Sequence, residues 1–191
     1  MTVLDYFALF LFGFLWFAFA WITGQGRIFA RTSLTQAMAE RRRQWIVNSL
    51  GRDLKMIDTQ ILSGLQNGTA FFASTSILAI GGCFALLGQT DQVDSVLKDL
   101  PFVVESGRST FELKVFVLTA IFGYSFFKFG WSYRLFNYCT ILFGALPMSE
   151  EARRDPQAAA RAAELTIRMN IIAAGHFNAG LRALFMSIGY L

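Results

Sequence analysis

The stretch NIIAAGHFNAGLRALFMSIGYL, residues 170–191, predicts an α-helix that crosses a membrane. A spanning helix needs about 20 mostly apolar residues, and this stretch provides them without a proline. One face has a small residue at every fourth position, namely Gly175, Ala179, Ala183 and Ser187. Because small residues let helix backbones approach closely inside a membrane, we expect this face to pack on a helix, and it could serve the contact between copies of the chain.

The composition extends this reading to the whole chain. Of the 191 residues, 54% are hydrophobic and 16% are charged, whereas roughly a quarter of the residues in soluble domains are charged. A backbone in hydrocarbon must satisfy its own hydrogen bonds, which favours helices, and the alternation typical of a membrane barrel is absent. We therefore predict an all-α fold in a single membrane domain, residues 1–191, with four transmembrane helices at about residues 4–22, 69–87, 111–134 and 170–190.

The first apolar segment also has a feature of a signal peptide. Its Ala18-Phe19-Ala20 is similar to a cleavage site, but the segment lacks a positive start and its only early charge is Asp5. We expect it to be a retained membrane helix.

The distribution of Lys and Arg among the loops predicts the orientation. Eleven lie before the second and the fourth span: Arg27, Arg31, Arg41, Arg42, Arg43, Arg52, Lys55, Arg153, Arg154, Arg161 and Arg168. Only Lys98 and Arg108 lie between the second and the third. Because cytoplasmic loops carry the positive excess, we expect both termini on the non-cytoplasmic side of a multi-pass protein in a bacterial inner (plasma) membrane.

Helices are also predicted in the cytoplasmic segments, at about residues 33–68 and 156–169. In the first of these, apolar residues recur at helical spacing: Ile46, Leu50, Leu54, Ile57, Ile61 and Leu65. This pattern predicts an amphipathic helix that leads into the second span. We expect its apolar stripe to pack on the protein's own bundle; a partner groove and the anionic membrane surface are the alternatives.

The second cytoplasmic segment begins at Asp155-Pro156, which is typical of a helix start with Asp as N-cap and Pro at the first helical position. The sequence then continues without a breaker into the fourth span. We expect one helix of roughly 35 residues, or ~50 Å.

Two positive residues lie in the third apolar segment. A charge at the centre of a spanning helix costs about 2.5–3.5 kcal/mol on insertion scales. If the span covers residues 111–134, Lys128 lies ~9 Å from its cytoplasmic end and can reach water, and Arg134 lies at the interface. Residues 135–146 would then continue against the bundle or along the membrane surface.

Three of the polar residues in the last span, Asn178, Arg182 and His176, lie at different positions around the helix. Asn178 and Arg182 lie about 40° apart around the helix, so they form one polar edge. Arg182 falls near mid-membrane and must face protein or water, either as a buried structural tie or as part of an anion site or aqueous path. His176 borders the small-residue face instead, and we expect it to be an interhelical hydrogen-bond partner rather than a metal or haem ligand.

The start of the second span is rich in hydroxyls and amides, which indicates buried hydrogen bonding or a wet cavity. No Asp or Glu lies well inside any span, so a permeating species is expected to be anionic or neutral rather than cationic. The predicted solute path or buried polar network comprises Arg182, Asn178, Lys128, Arg134, His176, Asn67, Ser74 and Thr75.

Motifs of catalysis are missing from the sequence. It has no phosphate-binding loop, no HExxH and no recognisable nucleophile motif. Cys83 and Cys139 lie in apolar stretches without CxxC spacing, as reduced packing residues do. We expect no enzyme activity, no cofactor and no metal site, and no nucleic-acid partner because the topology accounts for the basic balance.

Three stretches of the chain resemble the membrane proteins of the family catalogued as domain of unknown function 599: DTQILSGLQNGTAFFASTSILAIGG (58–82), LKVFVLTAIFGYSFFKFGWSYRLFNYCTILFGALP (113–147) and residues 170–191. The pattern D-T-Q-x-L…Q-N…A-S-T, the pair Arg134 and Tyr138, and the pair Gly180 and Arg182 carry the resemblance. It implies a four-helix integral membrane protein and implies no activity, since the family's function is unassigned.

Two functions remain open from the sequence. The first is a homo-oligomeric channel or transporter for an anion or small solute, since four helices are few to enclose a path alone. The alternative is a structural or accessory subunit of a larger membrane complex. The expected partners are the lipid bilayer, further copies of the chain, and in the second case another membrane protein.

Overall fold

Helices make up the part of the chain that the computed structural model describes, which is residues 7, 10–15, 17–18, 34–89 and 108–190. Within these residues, five helices follow one another: α1 (Leu34–Ser49), α2 (Met56–Gly88), α3 (Arg108–Gly144), α4 (Ser149–Arg154) and α5 (Pro156–Tyr190). Phe12, in a helical stretch nearer the start, contacts Tyr190 with ring centroids 4.9 Å apart. Much of the predicted first span (4–22), Ser33 of the first cytoplasmic segment, and the charged residues of 90–107 lie outside the described residues.

The prediction of an all-α fold is confirmed for the described residues. In this part of the chain, α2, α3 and α5 are long and apolar enough to cross a membrane, with 33, 37 and 35 residues. Large apolar side chains lie exposed along all three, among them Leu78, Phe116, Phe127 and Ile188. A fourth crossing and the side on which the termini lie stay predictions.

The start of α5 confirms the expected cap. The Ala158 backbone N–H donates to Asp155 Oδ1 at 2.9 Å, and Pro156 is the first helical residue. No breaker follows, so α5 continues for 35 residues to Tyr190. Its length is the one that the sequence predicts.

Helix α3 lies between α2 and α5 and packs on both. Toward α2, Gln66 Nε2 donates to Asn137 Oδ1 at 2.7 Å and to Thr140 Oγ1 at 3.0 Å. Toward α5, Ser132 Oγ donates to the Ala173 carbonyl at 2.8 Å. Residues 135–144 continue in the same helix and pack inside the bundle rather than along the membrane surface, burying Phe136, Cys139 and Phe143.

The closest approach of α3 and α5 is at Gly180. A Cβ on Gly180 would lie 2.8 Å from Cε1 of Phe129, which is shorter than real Cβ contacts. Phe129 is fully buried, and its ring centroid lies 5.5 Å from that of Phe72 and 5.6 Å from that of Phe177. The ring fills the space that the missing side chain of Gly180 leaves.

The small-residue face of α5 is used within the chain. Ala183 and Ser187 are 1% and 2% exposed. The idea that this face joins separate copies is therefore wrong for these two positions, because the protein's own bundle already covers them. Gly175 alone of the four lies exposed.

The prediction of a single amphipathic helix that leads into the second span is wrong. Helix α1 ends at Ser49, and α2 begins at Met56. At the end of α1 the backbone forms a tight turn, in which the Leu50 N–H donates to the Val47 carbonyl at 3.1 Å. Beyond it, the buried Asp58 carboxylate accepts bonds from Trp45 Nε1 at 2.7 Å and from Arg52 Nη1 at 2.6 Å. These bonds across the turn hold α1 and the start of α2 together, which a continuous helix could not do.

The apolar stripe of this segment divides at the same turn. Ile46 is fully buried between the helices, whereas Leu54 and Ile57 are 81% and 75% exposed. The expected packing on the bundle is therefore confirmed for Ile46 and wrong for Leu54 and Ile57. The turn rotates these two residues away from the face that Ile46 occupies.

Replacing Gly180 with Ala is expected to lower the free energy of unfolding by about 1–3 kcal/mol, the usual cost of overpacking. The Phe129 ring cannot move aside easily, because the rings of Phe72 and Phe177 pack against it. Gly130→Ala is the matched control, since a Cβ there meets no heavy atom within 4 Å. Thermal unfolding of both variants in detergent measures the difference, and equal stability would contradict the close contact.

Replacing Asp58 with Ala is expected to destabilise the protein by about 1–3 kcal/mol, because the indole N–H of Trp45 then lacks an acceptor in a partly buried position. Glu150→Ala is the control, since the Glu150 side chain is 77% exposed. Denaturant unfolding in detergent micelles reports the free energies. If both variants lose the same stability, Asp58 does not anchor the turn.

Candidate functional site

A groove of about 480 Å³ lies between α1 and the second half of α5. Its described walls come from residues 34–42 of α1 and residues 171–185 of α5. Arg42, Asn178 and Arg182 bring polar groups into it, and Thr35 adds a hydroxyl. The remaining wall residues are apolar or glycine, so the polar groups stand out against a hydrocarbon lining.

Two adjacent arginines hold α1 beside α5. Arg43 Nη1 donates to Glu164 Oε2 at 2.7 Å, and Arg42 Nη1 donates to Asn170 Oδ1 at 2.5 Å. The hydrogen bond that Arg43 donates to the Glu164 carboxylate raises the pKa of Arg43, which lies at the surface. Arg42 points inward instead, because consecutive residues of a helix are rotated by about 100°.

The Arg42 guanidinium is anchored by neutral groups only. Burial lowers its pKa, since the charged form is poorly solvated there. Asn170 is fully buried, and its Nδ2 in turn donates a hydrogen bond to Cys139 Sγ at 3.4 Å. Of the five N–H donors of Arg42, one is therefore used by the Asn170 amide, and no carboxylate of the described residues balances its charge.

Arg182 and Asn178 lie one turn apart on α5, as the sequence predicts, and both are half-buried in the groove wall. Within the described residues, neither forms a hydrogen bond or an ion pair. No acidic residue belongs to the described lining. Two guanidinium groups and a carboxamide thus share a groove without a counter-charge, which is an arrangement that favours a bound anion.

Lys128 and His176 lie elsewhere, where α3 meets α5. Lys128 Nζ lies 5.3 Å from the centroid of the Tyr124 ring, and the His176 ring lies 6.5 Å from the ring of Trp131. Neither residue lines the groove. His176 packs on an aromatic neighbour across the helix pair.

Arg134 is exposed, and its Nε donates to Tyr138 Oη at 2.8 Å. Its guanidinium carbon also lies 5.9 Å from the Trp131 ring centroid, within cation–π range. Arg134 is thus engaged with aromatic residues of its own helix, outside the groove.

The three predicted residues of α2 do not join the groove either. Asn67 and Ser74 are exposed on the outer face of the helix. Thr75 Oγ1 donates to the Phe71 carbonyl at 2.9 Å, one turn back in α2. Of the eight predicted site residues, the groove brings together Arg182 and Asn178, while the roles of the other six stay predictions.

From the sequence, Arg42 is one residue of the run Arg41-Arg42-Arg43, which fits contact with the anionic membrane surface and equally an orientation signal. A helical projection separates the three, because Leu34, Met38 and Arg42 recur every fourth residue and share one face. That face is the wall of the groove. The spacing was therefore a usable signal, although it does not name the partner helix.

Among the described residues, no group of three or more His, Cys, Asp or Glu side chains could hold a metal ion. In the groove itself, Arg42 and Arg182 supply positive charge and Asn178 supplies an amide.

Comparison with known families gives one match. The profile described as "Protein of unknown function, DUF599" matches residues 7–191, nearly the whole chain, which confirms the resemblance in the sequence. Neither a curated protein nor a solved structure gives a significant match.

A cysteine introduced by Asn178→Cys is expected to react faster with an anionic than with a cationic thiol reagent, by about tenfold, because the two guanidiniums concentrate anions. Native Cys83 and Cys139 are buried, so the background is low. Ile172→Cys, at an exposed position of α5, is the control. A cationic preference at position 178 would contradict a positive groove.

Proposed function

The chain belongs to the DUF599 family, and we propose that it is an anion-binding membrane protein that moves an anion or small anionic solute across the bilayer as a homo-oligomer. The observation that carries the proposal is the groove between α1 and α5, which Arg42, Asn178 and Arg182 line without an acidic residue in the described lining. A protein that needed these charges only for its own fold would pair them, as it pairs Arg43 with Glu164.

The chemistry of the three side chains suits an anion. A guanidinium presents fixed, parallel N–H donors that match a carboxylate or a phosphate, and the carboxamide of Asn178 adds two more. The surrounding walls are apolar, and a charged hydrogen bond is stronger beside a lining of low dielectric constant than in bulk water. Rings of Arg and Lys select anions in known pores by the same physics.

An oligomer is proposed because one copy leaves polar groups where lipid would be. Asn67 and Ser74 lie exposed on α2, which is one of the apolar helices long enough to span. An amide or hydroxyl facing hydrocarbon without a partner is unfavourable, and a second copy can provide the partner. We therefore propose that the contact between copies lies on α2 rather than on the small-residue face of α5.

A second candidate function has its own observation. Leu54, Met56 and Ile57 are 75–81% exposed at the turn into α2. Such a cluster at the end of a helix suits the surface of an accessory subunit that binds another membrane protein. A stoichiometric partner that co-purifies from native membranes and is lost on Ile57→Asp would favour this candidate over transport.

The test of transport is chloride and nitrate flux in proteoliposomes. Arg182→Gln and Arg42→Gln are each expected to reduce flux at least about tenfold, since a charged hydrogen bond contributes about 1.5–3 kcal/mol. Arg41→Gln is the matched control, because Arg41 is exposed and its hydrogen bond among the described residues is to Gln44, at 2.9 Å. Folding and oligomer size must be unchanged in all three variants.

Two results would contradict the proposal. Wild-type flux equal to that of empty liposomes would exclude a constitutive anion pathway. Equal loss of flux in Arg41→Gln and Arg42→Gln would mean that general surface charge, and not the groove, controls the movement of the anion.

A further inference from the structure

The walls of the groove are more apolar than a small anion requires. Apart from Thr35 and the three polar residues described above, its described lining is aliphatic, aromatic or glycine. A small ion such as chloride has no apolar surface to bury against these walls. An occupant that touches all of the groove must be apolar over most of its length and negatively charged at one end.

The rim of the groove has the same character. Leu34, Met38 and Phe185 line it and remain 79%, 46% and 61% exposed. All three are large apolar side chains, and Phe185 belongs to α5, one of the described helices that are long and apolar enough to cross a membrane. An apolar rim on such a helix suits an opening toward the hydrocarbon of the bilayer.

The charged groups lie deeper than the rim. Arg42 is half-buried and bonded to the fully buried Asn170, and Arg182 is half-buried one turn from Asn178. A partly desolvated charge with only neutral partners is costly unless an opposite charge is supplied. In the described residues no carboxylate of the lining does so, which leaves that place to the occupant.

From this charge complementarity we propose that the occupant is an anionic membrane lipid, with its phosphate attracted by the positive charge that Arg42 and Arg182 give the groove and its acyl chain along the apolar walls. The proposal rests on the anion site of the proposed function and specifies its ligand as an amphiphile drawn laterally from the bilayer. A volume of about 480 Å³ is within the range of ligand pockets, roughly 300–1,000 Å³, and holds the headgroup and first chain segments while the rest extends into the bilayer.

The test measures lipid retention by native mass spectrometry of the delipidated, full-length protein in a neutral detergent. The probes are phosphatidylglycerol, phosphatidylcholine and inorganic phosphate. We expect phosphatidylglycerol to bind at least about tenfold tighter than phosphatidylcholine, with the preference lost in Arg42→Gln and in Arg182→Gln and kept in Arg41→Gln. Inorganic phosphate is expected to compete weakly, because it lacks the acyl chain.

A second variant tests the apolar wall independently of charge. Phe185→Ser removes a wall residue that is already 61% exposed, so the fold should tolerate it. It is expected to weaken phosphatidylglycerol binding several-fold, because part of the apolar wall is lost. A variant that folds normally and binds the lipid as tightly as the wild type would overturn the role of the wall.

The outcomes separate this inference from the proposed function. Equal retention of the two lipids, or equal loss of preference in the Arg41 and Arg42 variants, overturns the lipid site even if chloride flux depends on Arg182. Phosphate binding that depends on Arg42 without a preference for phosphatidylglycerol also overturns it in favour of a soluble anion. A preference that depends on Arg42 and Arg182 supports the lipid site even where no flux is found.

Discussion

The close contact of α3 with α5 at Phe129 and Gly180 determines how the rest of the described structure is arranged. Lipid is as apolar as the helices, so association inside a membrane relies on close packing and a few hydrogen bonds. Here the missing Cβ of Gly180 admits the Phe129 ring, and Ser132 bonds to the Ala173 carbonyl two turns away. The same register places Asn170 against Cys139. Because Asn170 in turn holds Arg42, the position of Arg42 in the groove depends on the contact of Phe129 with Gly180.

Arg42 and Arg43 show how one residue of offset changes the electrostatic role of a side chain. Arg43 meets the Glu164 carboxylate at the surface, and that charge is balanced within the chain. Arg42 reaches a neutral amide, which orients the guanidinium without cancelling its charge. A carboxylate in the place of Asn170 would hold Arg42 more tightly and leave less attraction for an anion. The choice of a neutral anchor therefore keeps the positive potential of the groove available.

Much of the architecture is readable from local patterns, and the rest depends on contacts between distant residues. The membrane class follows from uninterrupted apolar runs, and the start of α5 follows from Asp155 and Pro156, since both signals act within one turn of helix. The break between α1 and α2 is not readable in this way, because the apolar spacing continues through it. It arises from the bonds of Asp58 to Trp45 and Arg52. For the site, Asn178 and Arg182 were identifiable because a charge inside a span stands out, whereas Arg42 was hidden among basic residues that the topology already explained.

The unbroken length of α5 has a mechanical consequence. The helix carries Glu164 near one end and Arg182 toward the other, with no proline between them. The same continuous helix therefore carries both the ion pair with α1 and one wall of the groove. The ion pair of Arg43 with Glu164 lies at the surface, where dissolved salt weakens it. Ionic strength therefore acts on one of the two side-chain contacts by which adjacent arginines hold α1 beside the groove wall.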